Sequence, residues 1–249
     1  QEKGVKLQQQ IKHQFQHYLL GKKVDPLTTE EVQKTQQEAH DWFYSSGMKT
    51  IKNAFQDYTG SSYQWMNRYF RDKDQKNYID NNDSSRKRKI ESIQKGFKKA
   101  QKELLWPRDM EVYRATGYSF LENAGLGSFK KQIRDLYDNR HDPNFDAMLK
   151  DLEYRLKSAA VGRIVKEESF TSTAYRKGAF GRDRPVKLTI SVPANSARAI
   201  NLTGISSFGD AEAEILFDAG MTNIIEDAWL RLTGSQIEAR FKLTMVGHT

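Results

Sequence analysis

Two glutamates stand two residues apart in the run Glu212-Ala213-Glu214-Ile215-Leu216-Phe217 near the C-terminal end of the chain. In a β-strand, residues i and i+2 point to the same side. An extended run therefore sets both carboxylates on one face, about 7 Å apart, with Ala213, Ile215 and Phe217 packed behind them. Paired carboxylates stabilise positive charge and move protons, but a Glu-x-Glu pair is also commonplace on a solvated strand face. Two other segments carry groups that could work with the pair. Glu111-Val112-Tyr113-Arg114 places an arginine on a short strand, and Phe170-Thr171-Ser172-Thr173 places a hydroxyl cluster on another. Arginine offers a permanent charge and a planar fork of donors that suits phosphate. Taken singly, Arg114 reads equally as a surface ion pair and Ser172 as a hydroxyl satisfied within a sheet.

Remaining polar clusters point to less. His13 and His17 are four apart, as helical metal ligands can be, but no Glu follows His13 and no third ligand is placed, so a solvated helix face is expected and no metal. The basic run Arg86-Lys87-Arg88-Lys89 lacks interleaved aromatics and reads as a solvated helix start, so no nucleic-acid partner is expected. Neither a Gly-x-Gly-x-x-Gly nor a P-loop spacing occurs, so any dinucleotide must be held by something other than a Rossmann fold.

The elements that must position these residues change character along the chain. Up to about residue 106 the period is helical. Leu7, Ile11, Phe15 and Leu19 recur every fourth position, Thr28 and Glu31 form a capping box, and Ile90, Ile93, Phe97, Ala100 and Leu104 make a stripe over residues 84–105 that Trp106-Pro107 ends. After Pro107 strands are expected to dominate, with one helix over residues 146–160. Val186, Leu188, Ile190 and Val192 alternate with polar residues up to Pro193. Ile237, Ala239, Phe241, Leu243 and Met245 alternate against Glu238, Arg240, Lys242 and Thr244, which predicts a sheet with one wet face. No repeat or linker divides the 249 residues, so one α+β domain over 1–249 is expected, mainly helical over 1–106 and mainly strands over 107–249.

Hydrophobic residues make up only 37%, but 13 Phe, 11 Tyr and 4 Trp supply large buried areas, so the chain reads as folded. A net charge of +8 favours an acidic surface or a polyphosphate ligand. Without cysteine there is neither a disulfide framework nor a thiolate metal site. No run approaches the roughly 18 apolar residues of a membrane helix, so no membrane span is expected. The chain starts at Gln1, which suggests a mature form after removal of a signal peptide, and hence secretion.

The order Arg114, then Ser172-Thr173, then Glu212-Ala213-Glu214 resembles the R, S-T-S and E-x-E signature of the bacterial C3-like and binary-toxin mono-ADP-ribosyltransferases. Tyr58-Thr59-Gly60-Ser61-Ser62-Tyr63, followed by Asn67 and Arg71, is similar to the family's helix that contacts the NAD phosphates. Gly178-Ala179-Phe180 with Arg184-Pro185 resembles its phosphate-nicotinamide loop, and residues 206–210 its target-recognition turn. The likeness runs from about Tyr58 to the C-terminus. Ala174 departs from it, since the third hydroxyl of S-T-S is missing.

The resemblance implies a helical N-terminal part packed on a two-sheet β core, NAD as substrate, and a target protein bearing an acceptor arginine as partner. It implies a monomer, secreted and acting in a host cell. Nicotinamide would leave through an oxocarbenium-like state, with Glu214 on the ribose hydroxyl and steadying the cation, and Ser172 orienting Glu214. Arg114, Asn67, Arg71 and Arg184 would hold the phosphates, Phe180 would lie against nicotinamide, and the Ala115 backbone would bind its amide. Glu212 would align the incoming guanidinium and take its proton; the C3-like branch has Gln there and uses other acceptors. An NAD glycohydrolase, in which water is the acceptor, and an inactive basic binding module are the competing functions.

Overall fold

The computed structural model describes residues 19–206 and 213–248. The Leu7 to Phe15 stripe, His13, His17 and Glu212 therefore lie outside the described residues. Helix α1 (Thr29–Phe43) starts at the expected capping box: Thr28 Oγ1 accepts from the Glu31 backbone at 3.2 Å, and Glu31 Oε1 accepts from the Thr28 backbone at 2.9 Å. The Glu31 carboxylate also takes both arms of the Arg108 fork, at 2.8 and 3.0 Å. Those bonds, first of all to Arg108, hold the Glu31 carboxyl below its ordinary pKa. The start of α1 is thus tied to the residues that lead into the first strand.

Helix α2 (Lys49–Asp57) passes into a π-helical turn (Tyr58–Ser62) and on into α3 (Tyr63–Arg71). Helix α4 (Lys73–Asn82) and α5 (Ser84–Glu103) follow. Helix α5 buries Ile90, Ile93, Phe97 and Ala100 as its stripe predicts, and it ends at Glu103, just short of Trp106-Pro107. A Cβ on Gly96 of α5 would fall 2.6 Å from Phe55 Cε2, so glycine sets how closely α5 packs on α2, the helix that leads to Tyr58.

Strand β1 (Met110–Thr116) is followed by α6 (Ser119–Asn123), α7 (Phe129–Asp138) and α8 (Phe145–Ala160). Only α8 is foreseen from the sequence. The apolar face of α7, Phe129, Ile133 and Leu136, keeps helical spacing over ten residues only, and the second part is less strand-dominated than its alternation suggests. Then come β2 (Ile164–Glu167), β3 (Thr171–Ala174), β4 (Val186–Val192), β5 (Ala199–Asn201), β6 (Glu214–Phe217), β7 (Met221–Leu232) and β8 (Ile237–His248).

The strands are ordered β2-β7-β8-β4-β1-β3-β6-β5, with β4 and β8 parallel and all other neighbours antiparallel. Five strands from β2 to β1 and three from β3 to β5 form two sections. A single register pair, Tyr113 with Ala174, joins them. One apolar core lies between the five-strand section and α6 to α8. The second lies among α1 to α5 and draws in Phe170, Ile200, Leu202 and Leu216. Strand β6 serves both cores, with Ile215 and Phe217 in the first and Leu216 in the second.

Two sequence expectations need correction. The strand that holds Glu214 begins at that residue, and Ala213 before it has φ +50, in the left-handed region. The strand alternation of β6 therefore starts at Glu214. On β8 the inward set is buried as expected, but Glu238 and Thr244 of the supposed wet face are buried too. Arg240 Nε donates to Glu238 Oε2 at 3.0 Å and Lys242 Nζ to Ser191 Oγ at 2.7 Å. These bonds satisfy charges that simple alternation assigns to water.

At the far end of β6, Asp218 is buried and His248 half-buried beside Arg198. The Arg198 backbone donates to His248 Nε2 at 3.3 Å, and Arg198 Nη1 stands 3.8 Å from Asp218. Burial pushes the Asp218 carboxyl up to about 6, against the Ala219 amide, Arg198 and Lys98. Burial, with Arg198, pulls the His248 imidazole down to about 4. Asp218 therefore favours the fold below its ordinary value of 3.8 and loses that contribution as pH rises through about 6. His248 favours it above its ordinary 6.5 and loses that as pH falls through about 4. Between these limits the two oppose. Asp218→Asn should thus lose about 1 kcal/mol more than wild type between pH 7 and pH 5, read from urea midpoints. Parallel pH curves for the two proteins would rule out this assignment.

Candidate active site

Where β1 and β3 part beyond Tyr113 and Ala174, a cavity of about 640 Å³ opens between the two sheet sections and the turn into α3. Asn67, Arg71, Arg114, Ala115, Ser172, Phe180, Arg184 and Glu214 all line it. The eight described residues singled out in the sequence are therefore gathered in one place. Glu212 lies outside the described residues.

Each side chain is placed by its element. Arg114 projects from β1 and donates from Nη1 to the carbonyl oxygen of Ser172 at 2.8 Å, bridging the strands where their ladder stops. The Ser172 hydroxyl then donates to Glu214 Oε2 at 2.5 Å. Glu214 is buried and opens β6, where Ala174 pairs with it across the ladder. The next hydroxyl, Thr173, turns the other way and donates to the Ile215 carbonyl at 2.7 Å, so it serves the sheet. Among the three positions of the hydroxyl motif, only Ser172 reaches the carboxylate.

Tyr58 and Asn67 enter from the helical side. In an uninterrupted helix, residues nine apart are separated by about 13.5 Å along the axis and point to opposite sides. The π turn breaks the 3.6-residue period between them, and Asn67 Nδ2 donates to the Tyr58 hydroxyl at 3.1 Å. Burial pushes the Tyr58 hydroxyl up to about 12; the Asn67 bond opposes this and the Glu214 charge adds to it. Tyr58 is therefore a neutral phenol beside the carboxylate. Thr59, Tyr63, Gln64, Thr116, Phe170 and Gly181 complete the wall, and of these Gln64, Thr116 and Gly181 had no sequence signal.

Arginine charge dominates the electrostatics. Among the described residues, Arg71, Arg114 and Arg184 form no ion pair, so the surface ion pair that the sequence allowed for Arg114 is absent. Burial lowers the pKa of Arg114; Glu167 and Tyr58 oppose this, and Arg71 and Arg184 lower it further. Two buried polar atoms, Arg114 Nε and Asn67 Oδ1, have no partner among the described residues. Three converging guanidinium groups with unused donors suit a phosphate chain, and the volume is that of a small-molecule cleft. Inorganic pyrophosphate should therefore bind in a salt-dependent manner, and Arg184→Ala, which removes an exposed cation, should weaken it about tenfold by calorimetry. Equal affinity in that variant would put the anion elsewhere.

Comparison with known proteins addresses the family and the fold. The family model described as ADP-ribosyltransferase exoenzyme matches residues 31–244. No curated protein sequence matches the chain significantly. The fold is similar to that of the Clostridium limosum C3 exoenzyme, with TM-score 0.63 and 20% identity over 90% of this chain and 98% of that one. It is similar to C3stau2 from S. aureus, solved with NAD, with TM-score 0.61 and 16% identity over 89% and 97%. Similarity to the ADP-ribosyltransferase Vis, solved in complex with agmatine, is lower, with TM-score 0.51 and 19% identity over 88% and 86%.

Proposed function

Since the chain belongs to the ADP-ribosyltransferase exoenzyme family, we propose that it moves ADP-ribose from NAD to an arginine side chain of a target protein, with slow NAD hydrolysis when no acceptor is present. The observation that carries this reading is the relay from Arg114 through Ser172 to Glu214, with Arg71 and Arg184 lining the same cleft and, like Arg114, in no ion pair among the described residues. NAD supplies a glycosidic bond whose cleavage leaves positive charge on the ribose.

This chain's residues act around that bond. Arg71, Arg114 and Arg184, with Asn67, hold the diphosphate. Phe180 lies against the nicotinamide ring and the Ala115 backbone binds its amide. The Glu214 carboxylate, held in one rotamer by Ser172, takes a ribose hydroxyl and stabilises the charge that develops as nicotinamide leaves with the bonding electrons. An acceptor nitrogen then bonds to the ribose carbon and gives up a proton. Glu212 takes it, because a guanidinium with a pKa above about 12 is a poor nucleophile until a carboxylate aligns and deprotonates it. Arginine as acceptor is supported by the carboxylate at position 212 and by the agmatine, a guanidinium compound, bound in Vis. The family's exoenzyme character supports secretion and action in a host cell. Among the described residues no helix is long and apolar enough to cross a membrane. We propose that the chain acts as one domain and as a monomer.

Labelled NAD with agmatine as acceptor tests the reading. Glu214→Gln should lose both transfer and hydrolysis by roughly a hundredfold or more while folding normally. Glu212→Gln should keep most of the hydrolysis and lose the agmatine product. Hydrolysis without agmatine product in wild type would make the protein a glycohydrolase. A joint fall of both rates in Glu212→Gln, with fold and NAD affinity intact, would assign Glu212 to the donor side instead.

A further inference from the structure

The segment between β3 and β4 carries Phe180 and Arg184 to the cleft, and beyond Tyr175, which packs against the first core, residues 176–185 join none of the cores among the described residues. Behind it lies a second cavity of about 580 Å³, bounded by residues 176–180 of the segment and, across the space, by Trp229 and Arg240 of the five-strand section. Arg114, Ala115 and Phe180 form the wall between this cavity and the cleft. A segment with a void beneath it is held by hydrogen bonds rather than by packing. Backbone bonds tie its ends, Tyr175 N to Ala213 O at 3.1 Å and Ala239 N to Pro185 O at 2.8 Å, and side-chain donors act between them. Arg182 Nε donates to Gly178 O at 3.0 Å and Gln236 Nε2 to Asp183 O at 2.8 Å, and Lys187 Nζ donates to both Gly181 O and Arg182 O at 2.8 Å.

Lys187 is the member of this set that rises from the sheet. It sits on β4 opposite Ala115 of β1 and Arg240 of β8, and its two acceptor carbonyls fall between Phe180 and Arg184. The fit there is close: Gly181 has φ +65, and a Cβ on it would lie 2.9 Å from Ala115 Cβ. Among the described residues Lys187 makes no ion pair. Burial lowers its pKa; the groups that face it, Glu238 and Arg240 from β8 and Asp183 from the segment, act in both directions. A half-buried ammonium without a counter-ion is a poor device for stability, since an apolar side chain in its place is often neutral or better.

We propose that Lys187 is a positioning residue of the NAD site, clamping the Gly181 and Arg182 carbonyls so that Phe180 and Arg184 face the cleft. This rests on the function proposed above. The test compares Lys187→Met and Lys187→Arg with wild type in two measurements, amide hydrogen exchange of residues 178–184 without NAD and steady-state NAD turnover. Lys187→Met should exchange these amides at least about tenfold faster while the sheet amides and melting temperature hold. It should also raise KM for NAD about tenfold with kcat changed much less, because binding geometry is lost and the Ser172 and Glu214 pair is untouched. Lys187→Arg, which keeps two donors, should recover most of both effects. Unchanged exchange in Lys187→Met overturns the clamp, and faster exchange with unchanged KM overturns the positioning role. A wild-type protein that consumes no NAD overturns the proposed function and the NAD role of Lys187 with it, while the exchange result still decides whether the clamp exists.

Discussion

Strands β1 and β3 share one residue pair, Tyr113 with Ala174, and then separate, and the Arg114 guanidinium takes over where their ladder stops. Two sheet sections that diverge leave backbone groups facing a gap, and such groups need partners. Arg114 supplies one by donating to the Ser172 carbonyl, which in turn fixes the residue whose hydroxyl holds Glu214. The cleft exists because the strands part, and its carboxylate has a defined position because an arginine crosses the opening. The same guanidinium thus has a structural bond on one arm and, among the described residues, no partner at Nε.

The charge arrangement follows from that geometry. Placing Arg71 and Arg184 near a half-buried Arg114 is unfavourable for the protein alone, as like charges in a poorly solvated cleft repel. Buried polar groups left without partners add to the cost. A diphosphate relieves both at once, which is why the unpaired cations and the two orphaned polar atoms argue together for a polyphosphate ligand. The neutral Tyr58 phenol beside Glu214 adds no charge to the carboxylate's surroundings.

Rigidity around the cleft is uneven for a packing reason. On one side, Phe170 sits edge-on to Tyr58 with ring centroids 5.5 Å apart and carries the second core up to the site. Strand β6, buried on both faces, brings Glu214 in from the other. By contrast, the segment from β3 to β4 spans a cavity and is tied by three side-chain donors. The carboxylate is therefore held by two cores, whereas Phe180 and Arg184 depend on hydrogen bonds.

Local rules that act over a few residues were legible without coordinates. The Thr28 and Glu31 capping box, the stripe of α5 and the alternation of β4 are set by bonds and burial within one element, so the sequence determined them. The described residues that line the cleft were legible by their resemblance to a known motif rather than by spacing, and simple alternation did not foresee that β6 begins at Glu214, after a left-handed φ at Ala213. What joins distant elements was decided by tertiary structure. The approach of Asn67 to Tyr58 depends on a π turn, the burial of Glu238 and Thr244 on what covers β8, and the bridge from Arg114 to Ser172 on where two strands diverge. Each depends on partners more than fifty residues away or on a break in local period, and neither leaves a trace in a pattern of nearest neighbours.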